Sequence, residues 1–297
     1  MTATLTIVDP GPLALVQDHG RHGYAALGVG RSGAADPPAM RLANRLVGNP
    51  VGAAVLEATL GGLRLVADAP TWIAVTGAPA PLRVGGRAYW TGEPVAVPPG
   101  AEVALGRPAR GLRSYLAVRG GIDVPAVLGS RSTDLLSGLG PPRLREGTLL
   151  PVGVAGAPWY PVDAPAAGGP PSDGDVELPV VLGPRDDWFE PEALEVLLTS
   201  RFEVTADSDR IGLRIAGPTL ARRVTDELAS EGTVRGAIQV PPGGRPTIFG
   251  PDHPVTGGYP VIAVVPSTAV HLTAQLRPGQ GIRFREAGRA SDNRVRH

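Results

Sequence analysis

The sequence predicts a mainly β protein built from two small barrels in tandem, each with one short helix. Three observations predict it. The first is punctuation: 41 glycines and 33 prolines are spread along 297 residues, which favours short strands and many turns over long helices. The second is filling: 42% of residues are hydrophobic but only 4% are aromatic, so Ala, Val, Leu and Ile must build a sizeable core. The third is an internal repeat. Asp36-Pro37-Pro38-Ala39 is echoed by Glu190-Pro191-Glu192-Ala193, Gly62–Leu65 by Gly212–Ile215 and Val97–Gly100 by Val240–Gly243. Leu116–Val118 is echoed by Ile262–Val264 and Leu144–Gly147 by Leu276–Gly279. The matches keep their order while the offset drifts from 154 residues (36 to 190) to 132 (144 to 276), as insertions would make it. Each half has enough turn-bounded strands to close a small barrel, which leaves no exposed edge. The expected units are residues 1–155, a Pro/Gly/Ala-rich linker at 156–175, a second barrel at 176–290 and a polar, frayed tail at 291–297.

The elements follow in order. Leu5–Val8 and Leu13–Val16 read as strands around an Asp9-Pro10-Gly11 turn. Gln17–Tyr24, QDHGRHGY, is a polar loop. Its His19 and His22 read as solvated or hydrogen-bonding residues, because Gly20 and Gly23 argue against the helix that would pair them on a metal. The clearest helix follows, with Asp36 as cap, Pro37 at its first position and Gly48 at its end. Ala39, Leu42, Ala43, Leu46 and Val47 form its apolar stripe; Arg41, Asn44 and Arg45 lie off it, as a solvated face or an anion contact. Strands are expected at Arg64–Val66, Trp72–Thr76, Pro94–Val97 and Tyr115–Val118, then a long hydroxyl-rich loop at Arg119–Gly138. The second half offers a strand at Val180–Gly183, a helix at Pro191–Leu198 and a strand at Glu203–Thr205.

Composition excludes several chemistries. Acidic and basic residues are equal at 28 each, so no basic excess points to nucleic acid or a membrane surface. There is no cysteine, which removes disulfides, thiolate nucleophiles and Cys-based metal or iron–sulfur sites. Every basic residue counted is arginine. Without lysine there is no Schiff-base cofactor chemistry, no Walker-type phosphate loop and no residue to carry biotin. No apolar run reaches membrane-spanning length and the N-terminus lacks a leader pattern, so a cytoplasmic location is expected.

No G-x-S-x-G elbow, H-E-x-x-H or dinucleotide fingerprint is present. What remains is a dispersed polar set beside glycine turns: Gln17, Asp18, Arg21, Ser32, Asp36, Arg131, Thr133, Asp134, Asp209, Arg210, Glu231, Gln239, Asp252, Thr256 and Tyr259. Arginines beside glycine-turn amides suit carboxylate or phosphate recognition, and carboxylates beside them could serve as bases. Such residues are as readily turn caps and salt bridges. The stretch Ser230–Pro260 is the densest in this chemistry.

The motifs resemble those of the allophanate hydrolase subunit 2-like family, also called the biotin-dependent carboxyltransferase family. The resemblance spans about Leu5–Phe284. It is carried by Gln17-Asp18…Gly20-Arg21, SGAADPPAMRLANRLVGN at Ser32–Asn49, LEATLGG at Leu56–Gly62 and YLAVRGGIDVPAVLGSRSTDL at Tyr115–Leu135. SDRIGLRI at Ser208–Ile215, SEGTVRGAIQVPPGG, TGGYP and QLRPG at Gln275–Gly279 complete it. One turn departs from the pattern. Where the family has Gln-Thr-Thr-Gly-Gly-Tyr, this chain has His253-Pro254-Val255 before Thr256-Gly257-Gly258-Tyr259, which favours an altered substrate or a regulatory role.

The resemblance implies two cyclophilin-like β-barrels and a subunit 1-like partner of the 5-oxoprolinase B type. With a third, lactam-opening component of the A type, such a pair opens 5-oxo-L-proline to L-glutamate using ATP at a site that could be shared with the partner. The urea-type branch implies carboxyl transfer from biotin carried on another protein, and a third branch a non-catalytic antagonist of a kinase inhibitor. On the first reading, Arg21, Arg131 or Arg210 would hold a substrate carboxylate, Gln239 would polarise the carbonyl, and Glu231 or Asp252 would move protons. Gln17, Asp18, Ser32, Thr133, Asp134, Asp209, Thr256 and Tyr259 would line the substrate.

Overall fold

The computed structural model describes residues 3–156, 159 and 174–288. Nearly all of the expected linker, and all of the expected tail, lie outside them. The described chain is mainly β, with two α-helices, α1 (Pro37–Leu46) and α2 (Pro191–Thr199).

In the N-terminal half two sheets face each other. One has six strands, ordered Leu149–Pro151, Thr4–Asp9, Arg64–Ala67, Glu102–Leu105, Leu82–Val84 and Arg87–Tyr89. The other has five, ordered Leu13–Gln17, Val55–Thr59, Arg113–Val118, Thr71–Gly77 and Pro94–Val97. Leu60, Gly61 and Gly62 all have positive φ, and this corner carries the chain from one sheet to the other. Alternation explains the strand assignments. In Thr4–Asp9 only Leu5 and Ile7 are buried, one face inward and one outward. Arg113–Val118 is buried at every position because both of its faces are covered. Leu116 and Val118 join the core between the sheets; Tyr115 and Ala117 pack with Met40, Leu42, Ala43 and Leu46 of α1. Burying each of those larger side chains stabilises the helix–sheet contact by about 1.5–3 kcal/mol.

The C-terminal half closes into a seven-stranded barrel. Its order is Val176–Leu182, Val261–Val264, Ala237–Gln239, Thr247–Phe249, Gly212–Ala216, Arg201–Val204 and Gly281–Glu286. Its first and last strands pair in parallel, and α2 buries Ala193 and Leu197 into the same core. A short ladder joins Glu231–Gly232 to Thr256–Gly257.

Two pairs of repeated motifs occupy corresponding positions along the chain. The Asp36 and Glu190 motifs start the two helices, and the VPPG turns follow strands Pro94–Val97 and Ala237–Gln239. Asp36 accepts a hydrogen bond from the Ala39 amide, and Pro37 opens α1 as expected. Asn44 is buried rather than solvated; its Nδ2 donates to the Ala53 and Val51 carbonyls.

Gln275 stitches the halves together. Its Oε1 accepts from the Leu112 and Arg113 amides, and its Nε2 donates to Asp36 Oδ2 and the Arg113 carbonyl. Stranding buried donors costs about 1–3 kcal/mol. Gln275→Ala is therefore expected to lower unfolding stability by about 2–4 kcal/mol, read from urea denaturation; an unchanged midpoint would remove Gln275 from the seam.

Candidate functional site

Part of the predicted polar set meets at the seam between the halves: Arg210 and Asp252 from one half approach Ser32 from the other. Asp209 Oδ1 accepts from the Ile211 and Gly212 amides, shaping the turn that presents Arg210. Gly250 lies against it; a Cβ there would meet the Arg210 carbonyl oxygen at 2.3 Å, so only glycine fits.

Arg210 is 1% exposed. Its Nε and Nη2 clamp both oxygens of Asp252, each at 2.9 Å. Its Nη1 donates to Glu57 Oε1 and its Nη2 to the Gly33 carbonyl, both in the other half. Glu57 is 1% exposed and its Oε2 accepts from the Ala35 amide and the Tyr115 hydroxyl, each at 2.9 Å. Arg113 Nε stands 3.6 Å from Glu57 Oε1. Burial alone would raise the Glu57 carboxyl. The cations of Arg210 and Arg113 and the two hydrogen bonds outweigh it, and Glu57 lies below its ordinary value. Asp252 follows the same balance: burial pushes up, and Arg210, Ser32 and the Leu135 amide pull it down further.

A second hub fixes the loop that follows the Leu13–Gln17 strand. The Asp18 carboxylate accepts from the Ser130 and Ser132 hydroxyls and from the Gly20 and Arg131 amides. Gln17 Nε2 donates to the Thr133 carbonyl at 2.8 Å. The loop Arg119–Gly138 is thus held by its own hydroxyls and by Asp18. Gly20, at φ 82°, lets the chain pass the Arg31 and Ser32 carbonyls, which a Cβ would meet at 2.4 and 2.8 Å. Ser32 has φ 54° and donates to Asp252 Oδ1 at 2.6 Å.

Between these hubs opens a cleft of about 820 Å³. Asp18, Arg21 and Ser32 lie on its wall. Arg21 is 2% exposed; its Nη2 donates to the Ser132 carbonyl, while its Nε and Nη1 have no partner among the described residues. Burial pulls the Arg21 guanidinium below its ordinary value, opposed by Asp134, Asp18 and Asp252. Gln17, Thr133, Asp134, Arg210 and Asp252 are buried and do not line this cleft.

The other predicted residues serve local structure. Arg131 binds Asp123 and the Val124 carbonyl. Asp134 Oδ1 accepts from the Leu136 and Ser137 amides. Glu231 pairs with Arg185 outside the cleft, and Gln239 Nε2 donates to the Tyr259 carbonyl at 3.0 Å. Thr256 lies in the short ladder, and Tyr259 is 46% exposed.

Sequence reasoning left out Glu57, Tyr115, Arg235 and His271; it read His19 and His22 as solvated or hydrogen-bonding residues and met His253 only as part of the departing turn, whereas all four histidines line the cleft. The signal for Glu57 was available: it is the lone charge in the apolar strand Val55–Thr59. Among the described residues no group of three or more His, Asp or Glu could hold a metal ion. His253 stacks on Phe249, centroids 5.7 Å apart. Its Nδ1 lies 2.7 Å from the Pro254 carbonyl, an acceptor only, so Nδ1 carries the proton and Nε2 is the basic nitrogen of the neutral ring. Burial lowers the His253 value, and Arg235 adds to the effect against the Pro254 hydrogen bond.

This is a two-part β protein with its polar cleft at the seam, and the chain belongs to the family described as "Carboxyltransferase domain, subdomain A and B", whose model matches residues 27–286. It is 38% identical over 283 residues to the 5-oxoprolinase C subunit of Escherichia coli, covering 94% of this chain and 90% of that one. It is 34% identical to the urea amidolyase of Lachancea kluyveri, over 94% of this chain but 16% of that much longer protein. The crystal structure of K. lactis urea amidolyase superposes with a TM-score of 0.90 at 32% identity, over 96% of this chain and 19% of the other. Among the described residues no helix is long and apolar enough to cross a membrane.

Removing the cation at the seam strands two buried anions. Arg210→Gln is expected to destabilise the protein by about 3–5 kcal/mol near neutral pH. In the parent, Glu57 and Asp252 sit below their ordinary values of 4.5 and 3.8. Their contribution is full above those values and is lost as pH falls through the depressed ones. In the variant both folded values rise, so protonation relieves it and its deficit narrows from about pH 7 to about pH 5. Urea midpoints at both pH values test this; an equal deficit at both would refute it.

Proposed function

We propose that this chain is the C component of an ATP-dependent 5-oxoprolinase, contributing part of the site where the lactam of 5-oxo-L-proline is opened to L-glutamate. The observation that carries the reading is its 38% identity to the E. coli 5-oxoprolinase C subunit along nearly the whole of both chains. The cleft supports it chemically. The substrate has one carboxylate and one ring amide. Arg21, buried with two nitrogens unbonded, offers a charge-assisted fork for the carboxylate. Asp18 and Ser32 line the substrate beside it. Gln17, Thr133, Asp134 and Arg210 position these groups from behind.

Proton transfer falls to His253 on this reading rather than to Glu231 or Asp252. Glu231 is paired with Arg185 outside the cleft, and Asp252 is saturated by Arg210, Ser32 and Leu135. His253 is on the wall with Nε2 free to accept. It belongs to the turn that departs from the family pattern. The partners would be a subunit 1-like B-type protein and a lactam-opening A-type protein, with ATP consumed by the assembly.

A second reading is carboxyl transfer from carboxybiotin delivered on another protein. The family description and the fold match to K. lactis urea amidolyase favour it. Reconstitution separates the two. Glutamate release from 5-oxoproline and ATP by the assembled components supports the first; its absence with all partners present refutes it.

Within the assembled enzyme, Arg21→Gln is expected to raise KM for 5-oxoproline by about 10–100-fold with a smaller change in kcat. An unchanged KM would free Arg21 of the carboxylate. His253 is basic only when neutral, and its value lies below the ordinary 6.5. Activity should therefore fall on the acid side as pH drops through that depressed value, and His253→Gln should abolish that limb. A profile retaining the limb in the variant would clear His253 of the role.

A further inference from the structure

One substrate carboxylate does not account for the charge in the cleft. Four arginines line it, Arg21, Arg31 and Arg41 from the N-terminal half and Arg235 from the other. Among the described residues none of the four forms an ion pair with a carboxylate. The single acid on the wall is Asp18, and its oxygens are taken by two hydroxyls and two amides. Four cations against that one carboxylate leave an excess of three. The neighbouring acids lie off the lining: Glu57 and Asp252 share Arg210, with Arg113 also beside Glu57, and Asp134, which opposes the lowering of Arg21, is buried outside the cleft.

The excess is also partly desolvated. Arg21 Nε and Nη1 and Arg235 Nε are buried without a partner among the described residues, which is costly for an ion unless something else binds it. Arg235 directs its two terminal nitrogens to the Ala34 and Ala35 carbonyls, and its Nε has no partner among the described residues. Burial lowers Arg235 to about 10, aided by Arg210 and against the pull of Tyr115, Glu57 and Asp36. His19 and His253 are lowered in turn, by burial and then, against the pull of Asp18 on His19 and of Pro254 on His253, by Arg41 and Arg235 respectively. Backbone amides cannot supply an anion cradle at Pro37 and Pro38 on the wall, since proline has no N–H. Recognition there must come from the guanidiniums.

We infer that the cleft binds a polyanion, a phosphoanhydride or phosphate-bearing ligand, through Arg21 and Arg41 of the N-terminal half and Arg235 of the C-terminal half. A lone carboxylate has one charge and two oxygens and satisfies Arg21 only. A phosphate chain has several charges and enough oxygens to reach guanidiniums from both halves, and arginine's planar fork matches it. A volume of about 820 Å³ lies within the range of roughly 300–1,000 Å³ common for ligand pockets. The inference deepens the reading above, because that reaction consumes ATP, but it stands on the charge count alone.

Titration calorimetry on the intact chain, without partners, tests it. Tripolyphosphate and ATP are the probes, and acetate and 5-oxoproline are the single-charge controls. Tripolyphosphate should bind at least about tenfold tighter than acetate and weaken steeply with salt. Arg21→Gln and Arg41→Gln should each weaken it by about tenfold; Arg41 is half-buried on α1 and forms no ion pair among the described residues, so that variant is expected to keep its fold, checked by melting temperature. ATP binding tighter than tripolyphosphate would assign a nucleotide, and equal affinities would assign the phosphate chain; either supports the inference. Phosphate probes no tighter than acetate, or unaffected by both substitutions, would overturn it. Intact phosphate binding with no glutamate release would instead sink the 5-oxoprolinase reading and leave this one standing.

Discussion

The structure depends on one buried guanidinium. Arg210 sits in the C-terminal half and holds Asp252 beside it, and from there it reaches Glu57 and the Gly33 carbonyl in the N-terminal half. A buried pair of this kind is a poor source of net stability, because desolvation offsets most of the attraction. Its effect is directional. Two carboxylates and a carbonyl can all be satisfied by one arginine only in one relative placement of the halves. Gln275 and Arg277 add neutral and charged hydrogen bonds along the same seam, to the 108–113 segment. The ionic contact therefore sets the register, and these bonds with the apolar packing supply more of the hold.

That contact also sets the electrostatics of the cleft. Glu57 and Asp252 would otherwise face the same region as anions. Arg210 pairs with both, with Arg113 also beside Glu57, and Asp18 is held by neutral donors of the 130–132 segment. The lining then carries four arginines against the one carboxylate of Asp18. The cationic character of the cleft thus arises less from an excess of arginine, since the chain carries as many acids as bases, than from the pairing of acids behind the surface.

Much of the fold was legible. Glycine and proline marked the turns, Asp36-Pro37 the start of α1, and the ordered repeat the two-part build. What one-dimensional reading did not give is the difference in closure. The N-terminal half crosses between sheets at the left-handed corner Leu60–Gly62, while the other half closes its ladder through parallel pairing of Val176–Leu182 with Gly281–Glu286. Such pairing spans more than a hundred residues and leaves no local pattern. Of the residues singled out in sequence as site candidates, Asp18, Arg21 and Ser32 line the cleft, and their roles were not legible. Arg21, Arg131 and Arg210 look alike in sequence. Only burial and partner separate a free fork at Arg21 from a surface pair at Arg131 and a saturated tether at Arg210. The spacing of the histidines speaks only to a helix that would pair them on a metal, and it carries no information about a shared anionic ligand.

The repeat sharpens where function was added. Its matched pieces build helix starts, turns and strands, and none of them supplies an arginine to the cleft. Apart from Pro37 and Pro38 of the matched Asp36 motif, the cleft is lined by residues outside the matched pieces, among them the loop from Asp18 to Ser32 in one half and the Thr233–Arg235, His253, Val255 and His271 positions in the other. Even a matched pair has diverged at the seam. Asp36 caps α1 and also receives Gln275 from across it, whereas Glu190 makes no side-chain cap on α2. Two similar halves pack asymmetrically because each contributes different side chains to the same contact. The cleft is therefore lined by both halves, and the contacts that fix their register also bring Arg21 and Arg235 to one cleft.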